Sequence, residues 1–312
     1  MLKRDIISAV LIDSESDDDE IDFTKIMIKE KNQKIIEKIE TKEIQIEEIE
    51  EKEQEQQEIK EIQIKEIKEP EDTKEKTKRK KTNKSSIMLN TCFNENLEII
   101  EIGIDEVGRG PLFGRVYASA VILPKSDEFR HCDMKDSKKF SSKKKIEATA
   151  EYIKRNSIAW SIRYEDENTI DRINILQATQ LAMHNCITDI LHQLKQKNSE
   201  LNLRNILLLI DGNYFKPFTH FNPITDKFET ILYHTIEQGD NKFTSIAAAS
   251  ILAKVERDKY IDNLCEENPE LKEKYRIDTN KGYGSKHHLD GIKQHGITQW
   301  HRKTFGICKN YF

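Results

Sequence analysis

Cysteine is scarce in this chain and badly spaced for stapling. Cys92, Cys132, Cys186, Cys265 and Cys308 are odd in number and never fall in CxxC spacing. That argues against a disulfide framework and a zinc knuckle, and it suits a reducing, intracellular and cytoplasmic setting. Long apolar runs are missing too, so no transmembrane helix and no membrane partner are expected. The opening MLKRDIISAVLIDSESDDDE has one short apolar stretch followed by acid, which is not a secretory signal pattern. Nor is there a strong excess of one charge. The net charge of −5 comes from residues 1–90, with 19 basic and 25 acidic side chains, while the remainder carries 32 and 31. A near-neutral body leaves nucleic acid open as a partner, because a basic face can coexist with an acidic metal site.

What the first part does have is low complexity. Residues 13–22 are an acidic run, and residues 25–68 are almost wholly Ile, Glu, Lys and Gln. EIQIEEIEE at 43–51 nearly repeats as EIQIKEIKE at 61–69, an offset of 18 residues or five helical turns. Ile35, Ile39, Ile46, Ile49 and Ile67 fit a heptad seam, but Lys42, Glu53, Gln56, Lys60 and Gln63 interrupt it, so no strong coiled coil is expected. Residues 1–94 read as a charged arm, disordered or a solvated single helix, with 95–312 as the folded domain. The basic cluster at 74–84 reads equally as a soluble linker and as a nuclear-import signal or phosphate grip.

The chain is organised around residues 97–123, LEIIEIGIDEVGRGPLFGRVYASAVIL. Two apolar, β-branched runs predict strands. Between them lie Asp105 and Glu106, then Gly108, Arg109, Gly110 and Pro111. Adjacent carboxylates at the end of a buried strand are costly unless paired. An ideal strand sends them to opposite faces, so a metal ion or a bulge is the expected resolution. The plainer reading is a surface turn. Residues 205–210, NILLLI, repeat the pattern, an apolar strand running into Asp211, where open α/β sheets bind ligands. Asp240 precedes a predicted helix, SIAAASILAKVERDKYIDNL, and a cap is its plain reading. Further helices are expected after Ser141 or Ser142 and over 170–194. Carboxylates without partner histidines suit Mg²⁺ or Mn²⁺ and phosphate-ester hydrolysis.

Seven blocks occur in an order that resembles ribonuclease HII of the bacterial type: IGIDEVGRGPLFG, KDSKKFS, INILQATQLAM, LLIDGN, GDNKFTSIAAASILAKVERD, KGYGSKHHLDGIKQHG and HRKTF. The resemblance covers residues 102–312. It implies an α/β, ribonuclease H-like fold, a mixed five-stranded sheet with flanking helices and a helical C-terminal part. It implies an endonuclease acting on RNA/DNA hybrids and on ribonucleotide-containing duplex DNA, cutting 5′ of a lone ribonucleotide with two metal ions. By motif position the metal ligands are Asp105, Glu106, Asp211 and Asp240. Gly108, Arg109 and Gly110 would meet the 2′-hydroxyl, Ser137 and Lys138 the backbone, and Tyr283 the sugar beyond the junction. Phe113 and Arg115 stand where the family usually has Ala and Pro, and an aromatic-rich insertion at 214–233 reads as a surface loop. The rival reading is a noncatalytic hybrid-binding protein.

Overall fold

The computed structural model describes residues 88–198, 201–222 and 226–312. The low-complexity run and the basic cluster at 74–84 lie outside the described residues. Among the described residues the strands are β1 Ile100–Val107, β2 Val116–Ile122, β3 Ala159–Glu165, β4 Ile206–Asp211, β5 Thr219–Asn222, β6 Lys227–Thr230 and β7 Leu232–Ile236. The helices are α1 Lys143–Asn156, α2 Glu167–Lys197, α3 Thr244–Glu267, α4 Glu270–Tyr275, α5 Ile277–Asn280 and α6 Lys286–His295.

Five strands form one sheet in the order β3-β2-β1-β4-β7. β1 pairs antiparallel with β2, and β2 with β3, while β1, β4 and β7 run parallel. This is the mixed five-stranded sheet that the resemblance implies. The unbroken apolar run of β4 follows from covering both sheet faces with helices. Leu208 and Ile210 pack on the α2 side with Ile102 and Ile104. Leu207 and Leu209 pack on Ile246 of α3. Val121 meets Ile146, Ala150 and Ile153 of α1 and the small residues Ala247, Ala248 and Ala249 of α3. A Cβ at Gly103 would collide with the backbone of Ser245 and Ile246, so the glycine lets α3 cross β1 at backbone distance.

Three local outcomes differ from the sequence reading. The helix expected over 170–194 is broken at Asn174 (φ 66°), whose Oδ1 accepts the Gln177 N–H at 3.1 Å and caps the second half. The 214–233 insertion is not a plain loop. It contains the two-stranded β5–β6 hairpin, rooted by Phe215, Phe218 and Ile231 in the core beside α2.

The third concerns the residues just before β1. Asn90 donates its N–H to Lys242 O (2.8 Å) and accepts the Thr244 N–H (3.0 Å), and so takes up one orphan donor at the start of α3. Phe93 and Asn94 give their N–H groups to the Glu101 carboxylate, Phe93 stacks on His234, and Leu89 joins the α1–α3 core. We therefore propose a boundary before Met88. Deleting residues 1–87 should leave the melting temperature unchanged. Deleting 1–94 should lower it by roughly 5 °C or more, given about 1 kcal/mol per lost hydrogen bond and 2–4 °C per kcal/mol. Equal melting curves for the two truncations would refute the boundary.

Candidate active site

Asp105 and Glu106 are not in a turn after β1; they are its last residues but one. Their register is unbroken, Asp105 opposite Ser119 and Glu106 opposite Ala118, so no bulge turns them together. They therefore take opposite faces. Asp105, 4% exposed, lies on the α3 side near Ser250, and its Oδ1 accepts the Glu106 N–H at 2.7 Å. Glu106 lies toward α2, where its Oε1 pairs with Arg109 at 3.1 Å. Asp211 ends the adjacent parallel strand β4, and its Oδ1 accepts the Gly239 N–H at 2.7 Å. Glu106, Arg109, Asp211 and Tyr214 line a small cavity of about 60 Å³. Asp240 lies in the 3₁₀ turn Gly239–Asn241 and caps nothing: α3 has Phe243 at its N-cap, with no capping side chain. Its Oδ1 instead accepts from Asn241.

The charge of Asp211 reaches the other three carboxylates. Burial pushes the Asp105 carboxyl well above the usual carboxylate range, and the charges of Glu106 and Asp211 push it further. Burial raises Glu106, with Asp211 adding to it against the opposing Arg109. Asp240 is raised by burial and then by Asp211 and Asp136. Four hard oxygen donors without cysteine or histidine fit a divalent cation such as Mg²⁺ or Mn²⁺. Among the described residues no three acidic, histidine or cysteine side chains already form a ligand cage. To serve as ligands of one centre these carboxylates would have to be drawn together, and a cation between them would relieve their repulsion.

Beside them runs the glycine loop. Its shape comes from two arginines that the sequence reading missed, Arg257 and Arg302, which are 1% and 0% exposed. Arg302 donates to four carbonyls: Gly108 at 2.6 Å, Arg109 at 3.0 Å, Pro111 at 2.9 Å and Gly114 at 2.8 Å. Arg257 donates to the carbonyls of Arg115, Phe113 and Lys281. Gly108 has φ +93° and sits against the Arg257 side chain, where a Cβ would collide. Neither arginine has a carboxylate within ion-pair distance among the described residues. Their sequence neighbours, Glu256 and Asp258 for Arg257 and His301 and Lys303 for Arg302, are polar and gave no sign that either is buried.

Tyr283, 50% exposed, stands across from the loop. Its ring lies 3.6 Å from where a Cβ on Gly110 would be. Ser137 is buried, and its hydroxyl meets that of Ser250 at 3.1 Å. Lys138 is exposed in the same 3₁₀ turn, Ser137–Lys139. Both departures from the family pattern are absorbed by packing. Phe113 is fully buried against Trp300 and His301. The Arg115 guanidinium stacks on Tyr164 (4.0 Å) and Tyr260 (4.4 Å).

A family model described as Ribonuclease HII matches residues 102–308. The Ribonuclease HII of Parabacteroides distasonis is 44% identical over 208 residues, 67% of this chain and 90% of that protein. That of Nostoc sp. is 43% identical over 217 residues, 69% of this chain and 84% of that protein. Among solved structures, the ribonuclease HII of Archaeoglobus fulgidus in a complex with PCNA aligns with a TM-score of 0.48 at 21% identity, covering 67% of this chain and 96% of that one. Among the described residues no helix is long and apolar enough to cross a membrane. A match spanning two thirds of the chain, with relatives of this identity covered nearly end to end, makes the chain a member of the ribonuclease HII family, a metal-dependent ribonuclease H-type endoribonuclease.

Proposed function

We propose that this enzyme hydrolyses RNA within RNA/DNA hybrids and cuts 5′ of single ribonucleotides embedded in duplex DNA, leaving a 3′-hydroxyl and a 5′-phosphate. The observation that carries the reading is the close approach of the exposed Tyr283 ring to Gly110, in the loop that follows Asp105 and Glu106. Arg302 occupies the carbonyls of Gly108, Arg109 and Pro111 but not that of Gly110. The Gly110 backbone therefore stays available to a 2′-hydroxyl, the group that distinguishes a ribonucleotide in a duplex. The aromatic face opposite suits stacking on the next sugar. Lys138 and Arg109 present cations to the phosphate backbone.

Asp105, Glu106, Asp211 and Asp240 would hold two divalent ions, which supply a deprotonated water and stabilise charge on the phosphate and the leaving oxygen. The P–O3′ bond breaks, the water's oxygen joins phosphorus, and O3′ leaves with a proton. The protein's own part is positional. The Gly239 N–H orients Asp211, the Glu106 N–H orients Asp105, and Arg109 steadies Glu106.

A labelled duplex with one ribonucleotide, incubated with Mg²⁺ or Mn²⁺ and then with chelator, tests this. Metal-dependent nicking 5′ of the ribonucleotide is expected; tight binding without nicking would favour the noncatalytic reading. Tyr283→Ala should slow cleavage at a lone ribonucleotide by about tenfold and cleavage inside an RNA tract by less, because the downstream sugar there is a ribose. Gly110→Ala should fold normally, since its Cβ makes only an ordinary contact, yet slow both substrates by crowding the 2′-hydroxyl. Rates are compared at one salt concentration. Equal slowing of both substrates by Tyr283→Ala would remove the stacking role.

A further inference from the structure

Two buried histidines, His288 and His301, belong to neither the carboxylates nor the glycine loop. They are 0% and 1% exposed and enclosed by the rings of Phe113 and Tyr275. Their nitrogens form a continuous chain. The Thr298 backbone N–H reaches His301 Nδ1 at 2.9 Å, the two Nε2 atoms lie 3.0 Å apart, and His288 Nδ1 lies 2.9 Å from the Tyr283 carbonyl. A backbone N–H only donates and a carbonyl only accepts. The two ends therefore fix every proton between them. His301 accepts at Nδ1 and carries its proton on Nε2. His288 accepts that bond at Nε2 and carries its own proton on Nδ1, which it gives to Tyr283. An added proton on either ring would set N–H against N–H.

We propose that this His301-to-His288 chain is a positioning relay that sets the orientation of the Tyr283 ring across from Gly110. The proposal rests on the reading of Tyr283 as the sugar-stacking ring. That ring is half exposed, so its orientation has to come through its own backbone. The backbone is pinned on both sides: the Tyr283 N–H donates to Asn280 O, and its carbonyl accepts from His288 and from the Ser285 N–H. The facing glycine loop is held by the very next residue, because Arg302 grips its carbonyls. The dipeptide His301-Arg302 therefore bears on both sides of the Gly110–Tyr283 approach, through His288 on one side and the loop carbonyls on the other. Small errors in such placement cost rate steeply.

A double-mutant cycle tests the relay. His301→Phe keeps the ring shape and removes the hydrogen bonds to His288 and to the Thr298 N–H and hydroxyl. Alone, it should slow cleavage at a lone ribonucleotide about tenfold, the worth of roughly one hydrogen bond. In a Tyr283→Ala background it should add no further slowing, because nothing remains to be positioned. His301→Gln, which can both accept and donate, should recover most of the rate. Equal slowing by His301→Phe in both backgrounds overturns the relay and leaves the pair a packing feature. A Tyr283→Ala enzyme with normal rate instead overturns the stacking role itself, and with it the relay's purpose; that failure appears in the single variant. Should His301→Phe not fold, nitrogen-15 spectra of the unmodified enzyme at neutral pH decide. They should show the proton on Nδ1 of His288 and on Nε2 of His301. The reverse assignment, or a charged ring, overturns the proposal.

Discussion

Asp105→Asn should reduce nicking at a single ribonucleotide by at least about a thousandfold, several kcal/mol of lost charge stabilisation. The same change should raise the melting temperature of the metal-free protein. The two effects share a cause. Asp105 is buried against Glu106 and Asp211, and its carboxyl is raised well above the usual range. A carboxylate with a raised folded-state pKa stabilises the fold at low pH, and that contribution is lost as the pH rises through the folded pKa. Asp105, Glu106 and Asp240 all shift this way, so metal-free stability should fall as the pH rises from about 4 toward neutrality. An amide can never ionise beside Glu106 and Asp211, and it keeps an acceptor for the Glu106 N–H. The gain should be roughly 2–4 °C for each kcal/mol of repulsion relieved. Mg²⁺ should stabilise the native enzyme at neutral pH and stabilise the variant much less. Hybrid binding should survive, because Arg109 and Lys138 are untouched. A variant that cleaves normally, or that melts lower without metal, would refute the site.

Arg302→Lys should lower the melting temperature by roughly 6–12 °C and the cleavage rate by about a hundredfold. The guanidinium is buried and partnered by four carbonyl oxygens rather than by a carboxylate. Burial, and then the charge of Arg257, bring its pKa down to about 9. The charges of Glu167 and Asp171 oppose that shift, and its donors point at backbone carbonyls. An ammonium offers donors from one atom and cannot span carbonyls as far apart as Gly108 and Gly114. At 1.5–3 kcal/mol for each hydrogen bond to a charged group, losing two costs about 3 kcal/mol or more. The freed loop would no longer hold Gly110 at its distance from Tyr283. A lysine variant with native melting and native rate would show that the loop holds itself.

Much of this was legible because acid beside an apolar run is chemically conspicuous. The strands before Asp105 and Asp211 and the capped helix after Ser142 appear where their patterns put them, within a few residues. What stayed hidden acts through backbone. Arg302 and Arg257 are defined by carbonyls that lie far back along the chain, and carbonyls carry no residue signature. The anchoring of Asn90 at the start of α3 is likewise invisible in side-chain types. The backbone role of Ser137 came only from the resemblance, and nothing in the sequence hinted that its hydroxyl meets that of Ser250 across the fold. The insertion read as a loop because its alternating run is only a few residues long on each side of the hairpin.

The parallel pairing of β1 with β4 has a consequence for assembly. Partners such as Ile104 and Ile210 lie about a hundred residues apart in the chain, so the pairing must close a long loop before any contact rewards it. Asp105 and Asp211 are neighbours only once that has happened. The loop grip of Arg302 arrives later still on a growing chain. No nascent fragment ending before Arg302 contains a complete nuclease, and in refolding, activity should return with the slowest phase that recovers native structure.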